Sequence, residues 1–187
     1  MRAAHTLDRT RVVTWANGLT LGRMISAPAL AAAITAPAPR LAALLFALAV
    51  ASDFLDGALA RRRGETSALG GLLDHAADAV LVTSGLAGLA YAGSVPLLLP
   101  PLILLAFAQY ALDSRALAGR ALRPSSLGRW NGIAYYALLG TPVVRDALGL
   151  SFPADASVRG LGWLLVASTL LSIADRARAL LRARRGG

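Results

Sequence analysis

Six apolar stretches, each close to the length a bilayer demands, follow one another along the chain. A helix crosses the hydrocarbon layer with about 20 apolar residues. The stretches run from about Trp15 to Ala36, Leu41 to Leu59, Leu69 to Ala92, Val95 to Leu112, Trp130 to Leu150 and Val158 to Ala174. Their breaks carry stop signals: Pro37-Ala38-Pro39, Arg61-Arg62-Arg63-Gly64 and Gly93-Ser94, with Pro142 placed to kink the fifth. Hydrophobic residues make up 56% of the 187, more than a soluble domain of this length carries, and only 6% are aromatic. The expected fold is all-α: an integral membrane bundle of six transmembrane helices in one domain spanning residues 1–187. Residues before Trp15 place Val12, Val13 and Trp15 against Arg9 and Arg11, the pattern of a short N-terminal interfacial helix. They lack the apolar core of a signal peptide.

Charge orients the bundle. The net charge is +9, and every basic side chain other than the two histidines is arginine. Without lysine there is no Schiff-base or P-loop lysine; without cysteine there is no disulfide, thiolate metal site or cysteine nucleophile. With the N-terminus cytoplasmic, the second–third and fourth–fifth connections and the C-terminus share its side. Those segments hold most of the arginines, including Arg61, Arg62, Arg63, Arg115, Arg120, Arg123, Arg129 and the C-terminal run from Arg176 to Arg185. Arg40, Arg145 and Arg159 fall on the other side. The positive-inside rule then puts both termini in the cytoplasm, as in a multi-pass protein of the cell inner membrane. Arginines flanking apolar spans suit anionic headgroups and phosphorylated substrates, not nucleic acid.

Four carboxylates interrupt this apolar background. Asp53 and Asp56 stand three apart, Asp74 and Asp78 four apart, so each pair lies on one helix face, and the two pairs flank one short connection. Ionised groups near a bilayer are costly and usually functional. Converging carboxylates, with no set of histidine or cysteine ligands for zinc, favour hard divalent cations such as Mg²⁺ or Mn²⁺.

The full segment reads D-x2-D-G-x2-A-R-x8-G-x3-D-x3-D, through Asp53, Asp56, Gly57, Ala60, Arg61, Gly70, Asp74 and Asp78. It resembles the signature of the CDP-alcohol phosphatidyltransferase family at every fixed position; given this composition, a chance match per starting position is on the order of 10⁻⁹. A weaker similarity, N-G-L-T-L-G-R through Asn17, Thr20 and Arg23, resembles the opening helix of bacterial members. The resemblance implies six transmembrane helices, a cytoplasmic-facing site, two divalent ions and a homodimer. It implies transfer of a phosphatidyl group from CDP-diacylglycerol to a small alcohol, releasing CMP, in phospholipid biosynthesis. Asp53, Asp56 and Asp74 become metal ligands, with Asp78 reaching the second ion or the acceptor hydroxyl; by resemblance Asp78 is the general base. Gly57, Ala60 and Gly70 are small enough to admit the nucleotide, and Arg61 suits a phosphate oxygen. Asn17 and Thr20 are placed to bond base or ribose, or to bond between helices.

The acceptor is less constrained. Arg115, Arg123 and Arg129 sit on the aspartates' side and suit an acceptor with its own phosphate, although positive-inside topology accounts for them equally well. Length and layout are most similar to bacterial phosphatidylglycerophosphate synthases, which makes glycerol 3-phosphate the leading acceptor. His75 and Ala79 depart from the proline and lysine common there, so serine, inositol phosphate and phosphatidylglycerol stay open. His75 reads as a supporting or interfacial histidine. The competing class is a small cation transporter or channel, since acidic pairs in a bundle also carry ions; against it, both pairs lie toward one membrane face.

Overall fold

The computed structural model describes residues 15–36, 38–63, 68–116 and 126–185, with side chains at 15–17, 19, 56–63, 68–70, 113–116 and 180–185 outside the description. The expected interfacial helix before Trp15 lies outside the described residues. Those described form six helices and no strand: α1 (Trp15–Thr35), α2 (Pro39–Arg63), α3 (Ala68–Tyr91), α4 (Leu99–Ala116), α5 (Ser126–Ala147) and α6 (Asp155–Arg185). α2 opens on Pro39, whose fixed φ suits a first helical turn. α3 closes on Gly93, at φ 78, with Ser94 N–H bonding back to Leu89 C=O at 2.9 Å. Only a residue without Cβ takes this left-handed cap at no steric cost. α5 runs on through Pro142, which is buried. α6 continues well beyond the expected Ala174, because alanine, leucine and arginine are all strong helix formers.

α1 lies between α2 and α3, while α3, α4, α6 and α5 close a ring, each packed on the next. Small residues set the spacing. A Cβ on Gly88 of α3 would stand 3.1 Å from the Ala31 carbonyl oxygen of α1, and one on Gly162 of α6 would stand 2.5 Å from Pro96 Cδ. Close approach of this kind is how helices associate where lipid removes the hydrophobic drive between them. The core is Ala27, Leu30 and Ala33 of α1 against Leu81, Leu86 and Leu89 of α3, with Leu138 and Leu139 of α5.

The outward faces are apolar as well. Leu41, Leu44 and Leu48 on α2, Leu104 and Leu105 on α4, and Leu164 and Leu171 on α6 are exposed. Patches of this extent are foreign to a soluble monomer. Two segments, Gly71–Tyr91 and Asp155–Ala179, are long and apolar enough to cross a membrane. The six helices match the expected bundle in number, and among the described residues these two segments are long and apolar enough to span.

Candidate active site

One guanidinium organises the carboxylates. Arg23, from the middle of α1, has a fully buried side chain, and its Nη1 lies 2.9 Å from Asp53 Oδ1, 3.1 Å from Asp74 Oδ1 and 2.7 Å from Asp78 Oδ1. Its Nε reaches Ser52 Oγ at 3.5 Å, and Ser52 in turn donates to the Ala49 carbonyl at 2.8 Å. α1, α2 and α3 thus meet at one cation. Asp53, Asp74 and Asp78 are each about a third exposed, so they face a water-accessible space while Arg23 backs them from inside. Against three carboxylates, a single guanidinium leaves the described group net negative, and hard oxygen donors with surplus negative charge fit a divalent cation. Ligand atoms of Asp74, His75 and Asp78 lie within 4.8 Å of one another, a spacing compatible with one ion. His75, expected in a supporting role, is exposed, and its ring stands 5.7 Å from that of Tyr110.

Asp78 has a second neighbour. The Tyr136 hydroxyl of α5 donates to Asp78 Oδ1 at 2.7 Å, so Oδ1 takes both Arg23 and Tyr136. Beyond Asp78 lies an open-sided cavity of about 570 Å³ lined by α3, α4, α5 and α6. Val82, Ile103, Ala106, Phe107, Ile133 and Ile173 give it apolar walls, and Arg129, Arg176 and His75 stand on its lining nearer the α5 start and α6 end. Arg176 lies over the Tyr110 ring at 5.5 Å, a cation–π contact that fixes its position. Asp78 lines this cavity, whereas Asp53 and Asp74 do not.

The profile of the CDP-alcohol phosphatidyltransferase family matches residues 13–174, which takes in all six helices as far as the body of α6. The chain belongs to that family. Among curated proteins it is similar to a cardiolipin synthase (CMP-forming) of Streptomyces coelicolor, 41% identical over 102 residues, 51% of this chain and 47% of that protein. It is similar also to the CDP-diacylglycerol–glycerol-3-phosphate 3-phosphatidyltransferases of Blochmanniella floridana, 41% identical over 71 residues (36% and 37% of the two chains), and Sodalis glossinidius, 41% over 78 (40% and 41%). The matched portion spans about half the length of these relatives or less. Membership in the family, with the apolar outer faces, makes this a membrane protein.

Set against the family signature, Asp53, Asp74 and Asp78 come together as the sequence reading expects. Asp56, Gly57, Ala60 and Arg61 occupy the last turns of α2 and Gly70 the first turn of α3, with side chains outside the described ones. Asn17 has the same standing in α1; Thr20, one turn on, is buried. Of the acceptor candidates, Arg129 lines the cavity, Arg115 lies at the end of α4 with its side chain undescribed, and Arg123 lies outside the described residues. In the sequence Arg23 stands out only as the end of N-G-L-T-L-G-R. A lone arginine inside an apolar span was itself the signal, since such a charge needs buried counter-charge. Tyr136 and Arg176 gave less warning: a tyrosine hydroxyl needs a partner when buried, but sequence does not say which.

Proposed function

We propose that this protein transfers a phosphatidyl group from CDP-diacylglycerol to an alcohol held in the α3–α6 cavity, releasing CMP. The observation that carries this reading is the double position of Asp78, which belongs to the Arg23–carboxylate group on one side and to the cavity on the other. Divalent ions, Mg²⁺ or Mn²⁺, held by Asp53, Asp56, Asp74 and Asp78 would supply neutralisation of the pyrophosphate and of the departing CMP. Arg23 and Tyr136 both engage Oδ1 of Asp78, which keeps its carboxylate turned and leaves Oδ2 to take the acceptor's proton. As that proton moves, the acceptor oxygen bonds to the phosphorus bearing diacylglycerol, and the bond from that phosphorus to the CMP oxygen breaks. Gly57, Ala60, Gly70, Arg61, Asn17 and Thr20 are assigned to the CDP-lipid.

Glycerol 3-phosphate is the leading acceptor, supported by the names of the Blochmanniella and Sodalis relatives and by the cavity arginines. A second reading takes phosphatidylglycerol as acceptor, supported by the Streptomyces relative, whose match covers the larger share of this chain. We read the protein as a six-span bundle of the cytoplasmic membrane, with site and termini toward the cytoplasm on the arginine distribution, and as a homodimer on family resemblance. A cation transporter is the less supported class, because the carboxylates gather at one end and share an internal arginine.

The test is CMP release by purified protein supplied with CDP-diacylglycerol and a panel of alcohols. Release should cease in excess chelator and return with Mg²⁺ or Mn²⁺. Undiminished release without divalent ions would remove the metal role, and no release with any alcohol would remove the transferase reading.

A further inference from the structure

His75 brings nitrogen to a donor set that is otherwise oxygen. It follows Asp74 by one residue and precedes Asp78 by three, all within α3. At about 100° of rotation per residue, the three positions fall within one arc of about 100°, so their side chains leave the helix on a common face. One ligand atom from each of Asp74, His75 and Asp78 lies within 4.8 Å of the other two. Donors held about 2.1 Å from an ion stand about 4.2 Å apart across it, so these three need move little to share one. The approach is also divided. Arg23, fully buried, reaches Oδ1 of Asp74 and of Asp78 from inside, and the Tyr136 hydroxyl takes the same Oδ1 of Asp78. His75 is exposed and joins the carboxylates on the water-accessible side, where a hydrated cation arrives. Its ring leans on Tyr110 of α4, with centroids 5.7 Å apart and planes tilted by 41°, a contact that braces the imidazole.

Resting on the divalent ions of the function proposed above, we propose that His75 is a direct ligand of the ion shared by Asp74 and Asp78, and that its nitrogen makes this position selective for Mn²⁺ over Mg²⁺. Mg²⁺ takes oxygen and gives up its waters reluctantly. A site of two carboxylates and an imidazole favours a first-row transition ion, and Mn²⁺ is the one that also suits a carboxylate-rich shell. The imidazole adds a donor without adding another negative charge to carboxylates already gathered on one guanidinium. His75 and Asp78 both line the cavity, whereas Asp74 does not, so the three ligands join the carboxylate group to the cavity.

The test is electron spin-echo spectroscopy of the purified full chain, carrying no histidine tag, saturated with Mn²⁺ and freed of excess. An imidazole nitrogen bound to Mn²⁺ modulates the echo strongly, which carboxylate and water ligands do not. The chain has two histidines, so His5→Ala and His75→Ala assign the signal. Nitrogen modulation should appear in wild type and in His5→Ala and vanish in His75→Ala. Titration calorimetry should show Mn²⁺ affinity at the weakened position falling by about tenfold or more in His75→Ala, while Mg²⁺ affinity changes little. His75→Asp, which returns a donor as oxygen, should bind both ions without the modulation. Bound Mn²⁺ with no nitrogen modulation in wild type would overturn the assignment with no variant needed, and would leave the carboxylate metal site standing. Modulation that survives His75→Ala would overturn it as well. Equal losses of Mn²⁺ and Mg²⁺ affinity would overturn the selectivity. Failure of the wild-type chain to bind either ion would overturn the metal reading itself.

Discussion

Both ends of the bundle join arginine to aspartate, and the two arrangements differ in stoichiometry. At the α3 C-terminal end, Arg145 has Nε 2.7 Å from Asp146 and Nη1 2.7 Å from Asp155, and Nη1 also donates to the Pro153 carbonyl at 2.8 Å. Arg159 caps the Gly93 carbonyl nearby. Those carboxylates are about half exposed or more, and every contact joins the connection between α5 and α6 or closes a helix end. At the other end, among the described residues, one fully buried arginine serves three carboxylates drawn from two helices. The first arrangement divides its charge among partners that water also solvates. The second keeps surplus negative charge beside a cavity. Surplus charge is unhelpful to folding and useful to a site that binds cations and accepts a proton.

The comparison is strained most by changing the carboxylate that both the charge group and the cavity share. Asp78→Asn should lower turnover by about 10²–10⁴ while CDP-diacylglycerol binding is largely kept, the scale of a lost general base. Single-turnover CMP release beside equilibrium donor binding measures the two separately. Near-normal turnover at saturating donor, acceptor and metal would show that Asp78 is not the base.

Arg23→Leu comes next, and its readout is stability. Removing the cation leaves Asp53, Asp74 and Asp78 repelling one another around an apolar side chain. Breaking a buried pair costs about 3–5 kcal/mol, and the partial exposure of the aspartates lowers the expectation to about 2–3 kcal/mol. Thermal unfolding in detergent should show the loss, and added Mg²⁺ or Mn²⁺ should restore part of it by supplying positive charge to the same carboxylates. A variant as stable as wild type in chelator would mean that the carboxylates need no internal counter-charge.

This contrast also separates what the sequence made legible from what it did not. The helices could be placed because apolar runs of bilayer length admit few alternatives, and Asp53, Asp74 and Asp78 could be grouped because spacings of three and four put carboxylates on one helix face. Arg23 was harder: it lies 30 residues before Asp53, and only tertiary packing brings α1 against both aspartate helices. Tyr135 and Tyr136 illustrate the limit. Adjacent in sequence, they point about 100° apart on a helix, one reaching Thr169 of α6 and the other Asp78 of α3. Helical periodicity says that they diverge; it does not say which neighbour each will meet.

A smaller effect probes the contact that links the two ends. α1 holds Arg23 at the site and Ala31 against Gly88 of α3, where an added Cβ would stand 3.1 Å from backbone oxygen and 3.3 Å from Ala31 Cα. Backbone yields less readily than a side-chain tip, so Gly88→Val should destabilise by about 1–3 kcal/mol through overpacking. Pushing α1 from α3 should also loosen Arg23 from Asp74 and Asp78, so the variant's apparent metal affinity should move along with its stability. Lost stability with unchanged metal affinity would show that the ends are mechanically independent.

The smallest change is expected from Arg145→Ala. The side chain is mostly buried, yet its carboxylate partners lie largely in solvent, and pairs of that kind contribute at most about 1 kcal/mol. Its bond to the Pro153 carbonyl adds an anchor for the α5–α6 connection, and loss of one such bond is of the same size. Asp146 and Asp155, left alone, remain solvated and need no substitute cation. Thermal unfolding should therefore shift only slightly, added divalent ions should recover none of the shift, and CMP release should match wild type. That outcome would set this end apart from Arg23, whose loss the same ions are expected to offset. Recovery by Mg²⁺ at both ends would instead mean that the ions stabilise the bundle generally, and the distinction between carboxylates gathered on a buried cation and carboxylates left to solvent would fall.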